Sequence, residues 1–156
     1  MPNDHHLHSI KQQLNQVGSG FCLAKFYDVS IHLETGRVHS CIHPKAHVVP
    51  VEEITNSYHA LHNDRAKQQV RQEMLTGQRP KECGYCWNME DTNDDIVSDR
   101  VYFSSRYLAQ SKKYLELVKE QGSPGNYFPT HLEISFSITC NLKCTYCSPM
   151  VSSRWL

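Results

Sequence analysis

The apolar positions of this chain fall into two kinds of period. Tyr27, Val29, Ile31 and Leu33 alternate with Asp28, Ser30 and His32, which is the period of a half-buried strand. Glu34-Thr35-Gly36 reads as a short turn whose glycine suits a positive φ, and Arg37 to Ile42 can return as the second strand of a hairpin. That register carries Cys41 back toward the strand that Cys22 precedes. A second alternation, Leu132, Ile134, Phe136 and Ile138 against Glu133, Ser135 and Ser137, predicts another strand. Helical spacing is weak from Ser57 to Thr76, where Leu61, Val70, Met74 and Leu75 form a thin stripe stopped by Gly77 and Pro80. It is stronger later: Tyr107, Leu108, Ser111, Tyr114, Leu115 and Val118 share one helical face, with Gly122 and Pro124 beyond. Residues 1–20 are polar and end in Gly-Ser-Gly, a flexible arm with room for one helical turn. Residues 44–56, with Pro44 and Pro50, read as loop, and the acidic run from Glu90 to Asp95 as a solvated one.

Composition narrows the function. Lys plus Arg and Asp plus Glu are 16 each, which removes the basic footprint of a nucleic-acid binder or of a protein held on an anionic membrane. No apolar run is long enough for a spanning helix, and the first residues lack the pattern of an export signal. A reducing cytoplasm is therefore the expected compartment, where disulfides are disfavoured, and the seven cysteines ask for another use. The ten histidines have no metal-motif spacing and read as scattered surface residues.

The cysteines divide into four and three. Cys83-Gly84-Tyr85-Cys86 is a C-x2-C pair whose spacing lets two thiolates meet one metal, with Gly84 allowing a tight turn. With Cys22 and Cys41 it makes a full set for a closed zinc or iron–sulfur site. Cys140, Cys144 and Cys147, spaced C-x3-C-x2-C directly after a strand, supply only three ligands. A 4Fe-4S cluster held by three cysteines keeps one iron open, the incomplete shell that a reacting metal needs. Trp87 is expected to pack over the first site, and Tyr107 and Tyr114 to be core residues. Glu133 can face a barrel interior or solvent.

The segment ISFSITCNLKCTYC resembles the start of a radical S-adenosylmethionine (SAM) domain, in which a first strand leads into C-x3-C-x-φ-C with an aromatic φ, here Tyr146. The resemblance implies that Cys140, Cys144 and Cys147 hold a 4Fe-4S cluster whose open iron binds SAM, with Tyr146 beside the adenine. It further implies reductive cleavage of SAM and hydrogen abstraction from a substrate by a 5′-deoxyadenosyl radical. The upstream half, with FC, ETGRVHSC and RPKECGYCWNME, is similar to twitch and SPASM-type auxiliary-cluster domains. By that likeness Cys22, Cys41, Cys83 and Cys86 ligate an auxiliary 4Fe-4S cluster. The resemblance covers roughly residues 21–90 and 131–150, and it resembles most the proteins that carry the twitch domain at the N-terminus.

The expected architecture is an α+β cysteine-rich N-terminal domain (a β-hairpin plus helices) followed by the first strand and cluster loop of an α/β partial TIM-type barrel. The expected division is a flexible arm at 1–20, a twitch-like domain at 21–95, a helical connector at 96–130 and the start of a radical SAM core at 131–156. A barrel of this kind needs about six β/α units, so the chain is expected to be the N-terminal part of a longer enzyme, inactive alone. Expected partners are a small-molecule or peptide substrate and an external electron donor, with no nucleic acid and no membrane. The alternative is a non-catalytic zinc- or iron–sulfur-binding module.

Overall fold

In the computed structural model, residues 4–110, 112–149 and 152–155 are described. The expected arm is instead a helix, α1 (Asp4–Asn15), over most of its described length. Leu7, Ile10 and Leu14 recur at helical spacing and are buried, so α1 gains its stability by packing one face into the core. A one-turn helix, α2 (Ala24–Tyr27), follows and runs directly into β1 (Asp28–His32); Tyr27, expected in the strand, ends the helix. β1 pairs antiparallel with β2 (Arg37–His39), with Ile31 opposite Val38, and Gly36 takes φ 63° in the connecting turn as expected. A short third strand, β3 (His47–Val48), adds to β2.

The expected loop at 44–56 contains α3 (Val51–Asn56), which begins just after Pro50, a residue whose fixed φ suits a helix start. The single helix expected from Ser57 to Thr76 is two, α4 (Ala60–Asn63) and α5 (Arg65–Leu75). Asp64 divides them: its carboxylate accepts the Lys67 N–H at 3.0 Å and caps α5. Cys83 closes a short 3-10 turn (Lys81–Cys83), and Gly84 opens α6 (Gly84–Thr92). Gly84 sits at φ −53°, so the tight turn expected of it is an ordinary helical start. The strong helical stripe becomes α7 (Asp99–Gln110) and α8 (Lys113–Gln121), and Ser111, placed on that stripe, lies outside the described residues. Gly122, at φ 68°, ends α8.

The last strand, β4 (His131–Ser135), is shorter than the alternation to Ile138 suggested and lies parallel to β1, giving the sheet order β3-β2-β1-β4. The chain is thus mixed α/β, with a small four-stranded mixed sheet. Leu7, Phe21, Phe26, Met74, Trp87, Val101 and Val118 share one helical core, while Val29, Ile31, Val38, Val49 and Ala60 form a smaller core on the sheet. The residues read as arm and connector are therefore packed into the same core as the cysteine-bearing segments. Among the described residues, no helix is long and apolar enough to cross a membrane.

Candidate functional site: a four-cysteine cavity and a three-cysteine loop

Cys22, Cys41 and the Cys83–Cys86 pair come from three stretches of the chain and line one small cavity. Cys22 immediately precedes α2, Cys41 follows β2, Cys83 ends the 3-10 turn and Cys86 lies in the first turn of α6. The hairpin brings Cys41 back as its register required, and the 3-10 turn and α6 bring Cys83 and Cys86 to the same cavity. Cys22, Cys83 and Cys86 are buried and Cys41 is half-buried; all four are free thiols. Among the described residues, no group of three or more His, Cys, Asp or Glu side chains is arranged to hold one metal ion.

Burial, with the Cys41 thiol beside it, pushes Cys22 up to about 12. Burial also pushes Cys83 and Cys41 up, against the opposing pull of Lys25, and raises Cys86. Without metal these groups are therefore protonated. A bound cation reverses that logic by taking the place of the protons. Four cysteines lining one largely apolar cavity match an iron–sulfur site by donor chemistry, although their side chains do not converge on a single ion.

Several side chains complete the wall. Trp87 lines it as expected, its indole N–H donating to the Pro80 carbonyl at 3.1 Å. His43 lies at its edge, stacked on Tyr85 with ring centroids 3.8 Å apart and bonded to Asp99 at 2.6 Å. Lys25 and Arg100 bring two buried cations to the cavity. Arg100 is engaged by Glu90, which makes two bonds at 2.8 and 2.6 Å and is itself buried. Glu90 therefore corrects the reading of the acidic run as wholly solvated: Glu90 to Thr92 end α6, and Glu90 points into the protein. Sequence reasoning passed over Lys25, His43 and Arg100. For the first two the signal was closeness in sequence to Cys22 and Cys41; for Arg100 there was none.

The second candidate site follows β4. Cys140, Cys144 and Cys147 are all half-buried in an irregular loop. The Cys147 N–H bonds the Cys144 carbonyl at 3.1 Å, a β-turn that holds these two residues close together. The Leu142 N–H donates to the Cys140 sulfur at 3.4 Å. The Cys140 N–H is taken by the Ser153 hydroxyl at 3.2 Å, and the Ser153 N–H returns to the Ile138 carbonyl at 2.7 Å. Three thiols in this loop fit a three-cysteine cluster by donor chemistry. Tyr146 is exposed, and so are Leu132, Ile134, Phe136 and Leu142. Glu133 accepts the Ser30 hydroxyl at 2.8 Å across the parallel pair, which resolves where it faces: toward the polar side of β1.

Tyr107 is buried as expected and donates to Asp28, while Tyr114 packs edge-on against Tyr27, their centroids 4.9 Å apart. The histidines are less scattered than their spacing implied. His62 is buried, His47 pairs with Asp64 at 3.1 Å, and His32 stacks on His39.

Comparison with known protein families, with curated proteins and with solved structures finds no match.

Proposed function

We propose that the chain is the N-terminal part of a radical SAM enzyme with an auxiliary iron–sulfur site. In this reading Cys140, Cys144 and Cys147 hold a 4Fe-4S cluster with SAM on its open iron, beside Tyr146. Cys22, Cys41, Cys83 and Cys86 hold an auxiliary 4Fe-4S cluster. β4 is then the first strand of an α/β barrel, whose chemistry collects at the C-terminal ends of strands, and the three-cysteine loop stands at such an end. The observation that carries the reading is the meeting of Cys22, Cys41 and the Cys83–Cys86 pair on one cavity, in a chain that also has a C-x3-C-x2-C loop shortly after a parallel strand.

When bound, the loop cluster and SAM supply one-electron cleavage of SAM to methionine and a 5′-deoxyadenosyl radical that takes a hydrogen atom from a small-molecule or peptide substrate. The residues of the chain supply the surroundings. The β-turn at Cys144–Cys147 would keep two of the ligands close together, the Leu142 N–H would donate to the Cys140 sulfur, and the apolar wall around Trp87 would keep water from the auxiliary site. Electrons come from an external donor, and the free thiols suit a reducing cytoplasm.

The test is anaerobic reconstitution with iron and sulfide. The protein should carry two 4Fe-4S clusters and, in its whole form, release 5′-deoxyadenosine from SAM when reduced. Cys144→Ala should remove one cluster and SAM cleavage while leaving the other cluster in place. Stoichiometric zinc without iron would instead identify a non-catalytic binding module, and equal loss of both clusters would reject two independent sites.

A further inference from the structure

Lys25 is the most unusual residue near the four cysteines. It lies on α2, one helical turn after Cys22, and is only 5% exposed. A fully buried lysine is rare because leaving water costs the ammonium several kcal/mol, on the order of the effective penalty for a buried ion. Its one carboxylate partner among the described residues is Glu82, whose side chain is 37% exposed and so only partly shares the desolvated environment. Lys25 also lines two neighbouring cavities at once, the four-cysteine cavity and one bounded by His39, Ser40, Lys67 and Glu82. The second cation of the cavity, Arg100, is matched by a bidentate carboxylate that is equally buried. Lys25 is thus the cation whose charge is least balanced toward the cysteines.

A 4Fe-4S group on four thiolates is doubly negative when oxidised and triply negative when reduced, and net charge near such a group is a main determinant of its potential. An ammonium in a desolvated wall stabilises the more negative state, and the carboxylate paired with it, which lies outside that wall and is partly solvated, opposes it more weakly. We infer that Lys25 and Glu82 form a charge pair that sets the reduction potential of the auxiliary cluster, Lys25 raising it and Glu82 lowering it. Lys25 acts here as a positioning charge and ligates nothing. The inference rests on the reading that the cavity holds an iron–sulfur cluster.

The test is a redox titration followed by electron paramagnetic resonance, in a Cys144→Ala background so that the auxiliary cluster alone responds. Lys25→Met should make the cluster harder to reduce by about tenfold in the reduced-to-oxidised ratio, a fall of ~59 mV for one electron. Glu82→Gln should shift the potential in the opposite direction, and Lys25→Arg should restore a value near that of the parent. A merely structural ion pair predicts equal effects from removing either partner, so shifts of the same sign, or no shift at parental iron and sulfide content, overturn the inference. If Lys25→Met fails to retain the cluster, Glu82→Gln decides alone, and the absence of an upward shift overturns it. Iron uptake by the parent separates this result from failure of the underlying reading. A parent protein that binds only zinc removes both.

Discussion

Glu90 offers the sharpest test of how the cavity wall is held. Its Oε1 accepts from Arg100 Nε at 2.8 Å and its Oε2 from Arg100 Nη2 at 2.6 Å, and the Ser98 hydroxyl also donates to Oε1. The same guanidinium donates to the Phe21 carbonyl at 3.0 Å and to Asn15 Oδ1 at 2.7 Å, so one ion pair ties α6 and α7 to the end of α1 and to the chain leading into Cys22. Lys11, on α1, stands 3.9 Å from Glu90. Glu90→Ala removes the counter-charge and leaves a guanidinium that is 2% exposed among carbonyls. Breaking one partner of a buried pair costs about 3–5 kcal/mol. Replacing both partners with apolar groups is often neutral, so Glu90→Ala combined with Arg100→Met should be less destabilised than Glu90→Ala alone, with a coupling of about 1–3 kcal/mol. Urea denaturation of the metal-free protein, kept reduced with a chelator and followed by circular dichroism, measures this as a change in midpoint at constant slope. A cost below about 1 kcal/mol for Glu90→Ala, or a double variant that loses the sum of the single losses, would refute the argument.

Two further expectations rest on other parts of the fold. Burial and the neighbouring Arg71 lower His62 to about 3, and its Nε2 meets the Phe26 carbonyl at 2.7 Å as a donor. The unfolded chain, with an ordinary histidine near 6.5, binds this proton more readily, so the stability that neutral His62 contributes is fully present above about pH 6.5 and is lost as pH falls toward 3. The local slope approaches ~1.4 kcal/mol per pH unit; His62→Gln should flatten it in acid urea titrations, and an unchanged slope would count against the assignment. Gly20 and Gly84 make an opposed pair. A Cβ on Gly20 would lie 2.3 Å from the Gln78 carbonyl oxygen and 3.1 Å from the Arg79 Cα, so Gly20→Ala should cost about 1–3 kcal/mol in the same urea assay. Gly84 has a helical φ and nothing within 4 Å of its Cβ position, so Gly84→Ala should be neutral or stabilise by about 0.4–1 kcal/mol; a loss comparable to that at Gly20 would contradict the helical start of α6.

The contrast between what was and was not legible in the sequence has a physical source. The hairpin could be read because strand alternation and a positive-φ glycine are local signals: Ile31 opposite Val38 follows from the pattern and from Gly36 alone. The gathering of Cys22, Cys41, Cys83 and Cys86 was legible because cysteine chemistry supplied a reason for distant residues to meet, and the hairpin gave half the geometry. Helix α1 was missed because only Leu7, Ile10 and Leu14 carry its apolar face among polar neighbours, and that face is decisive only once α7 packs against it. The division at Asp64 was missed because a single side-chain cap outweighs a weak helical stripe.

Glu90, Arg100 and Lys25 escaped for a further reason. Charged residues read as surface by default, and their burial depends on partners far away in the chain: Arg100 finds Glu90 and Phe21, and Lys25 finds Glu82 and the cysteines. Burying such a cation beside its partner requires several backbone segments to be in place at once, so no local period can announce it. The same requirement makes these charges informative. A core that could have been closed with leucine has instead placed an ammonium and a guanidinium against four thiols, and in a desolvated wall each acts strongly on whatever charge the cavity comes to hold.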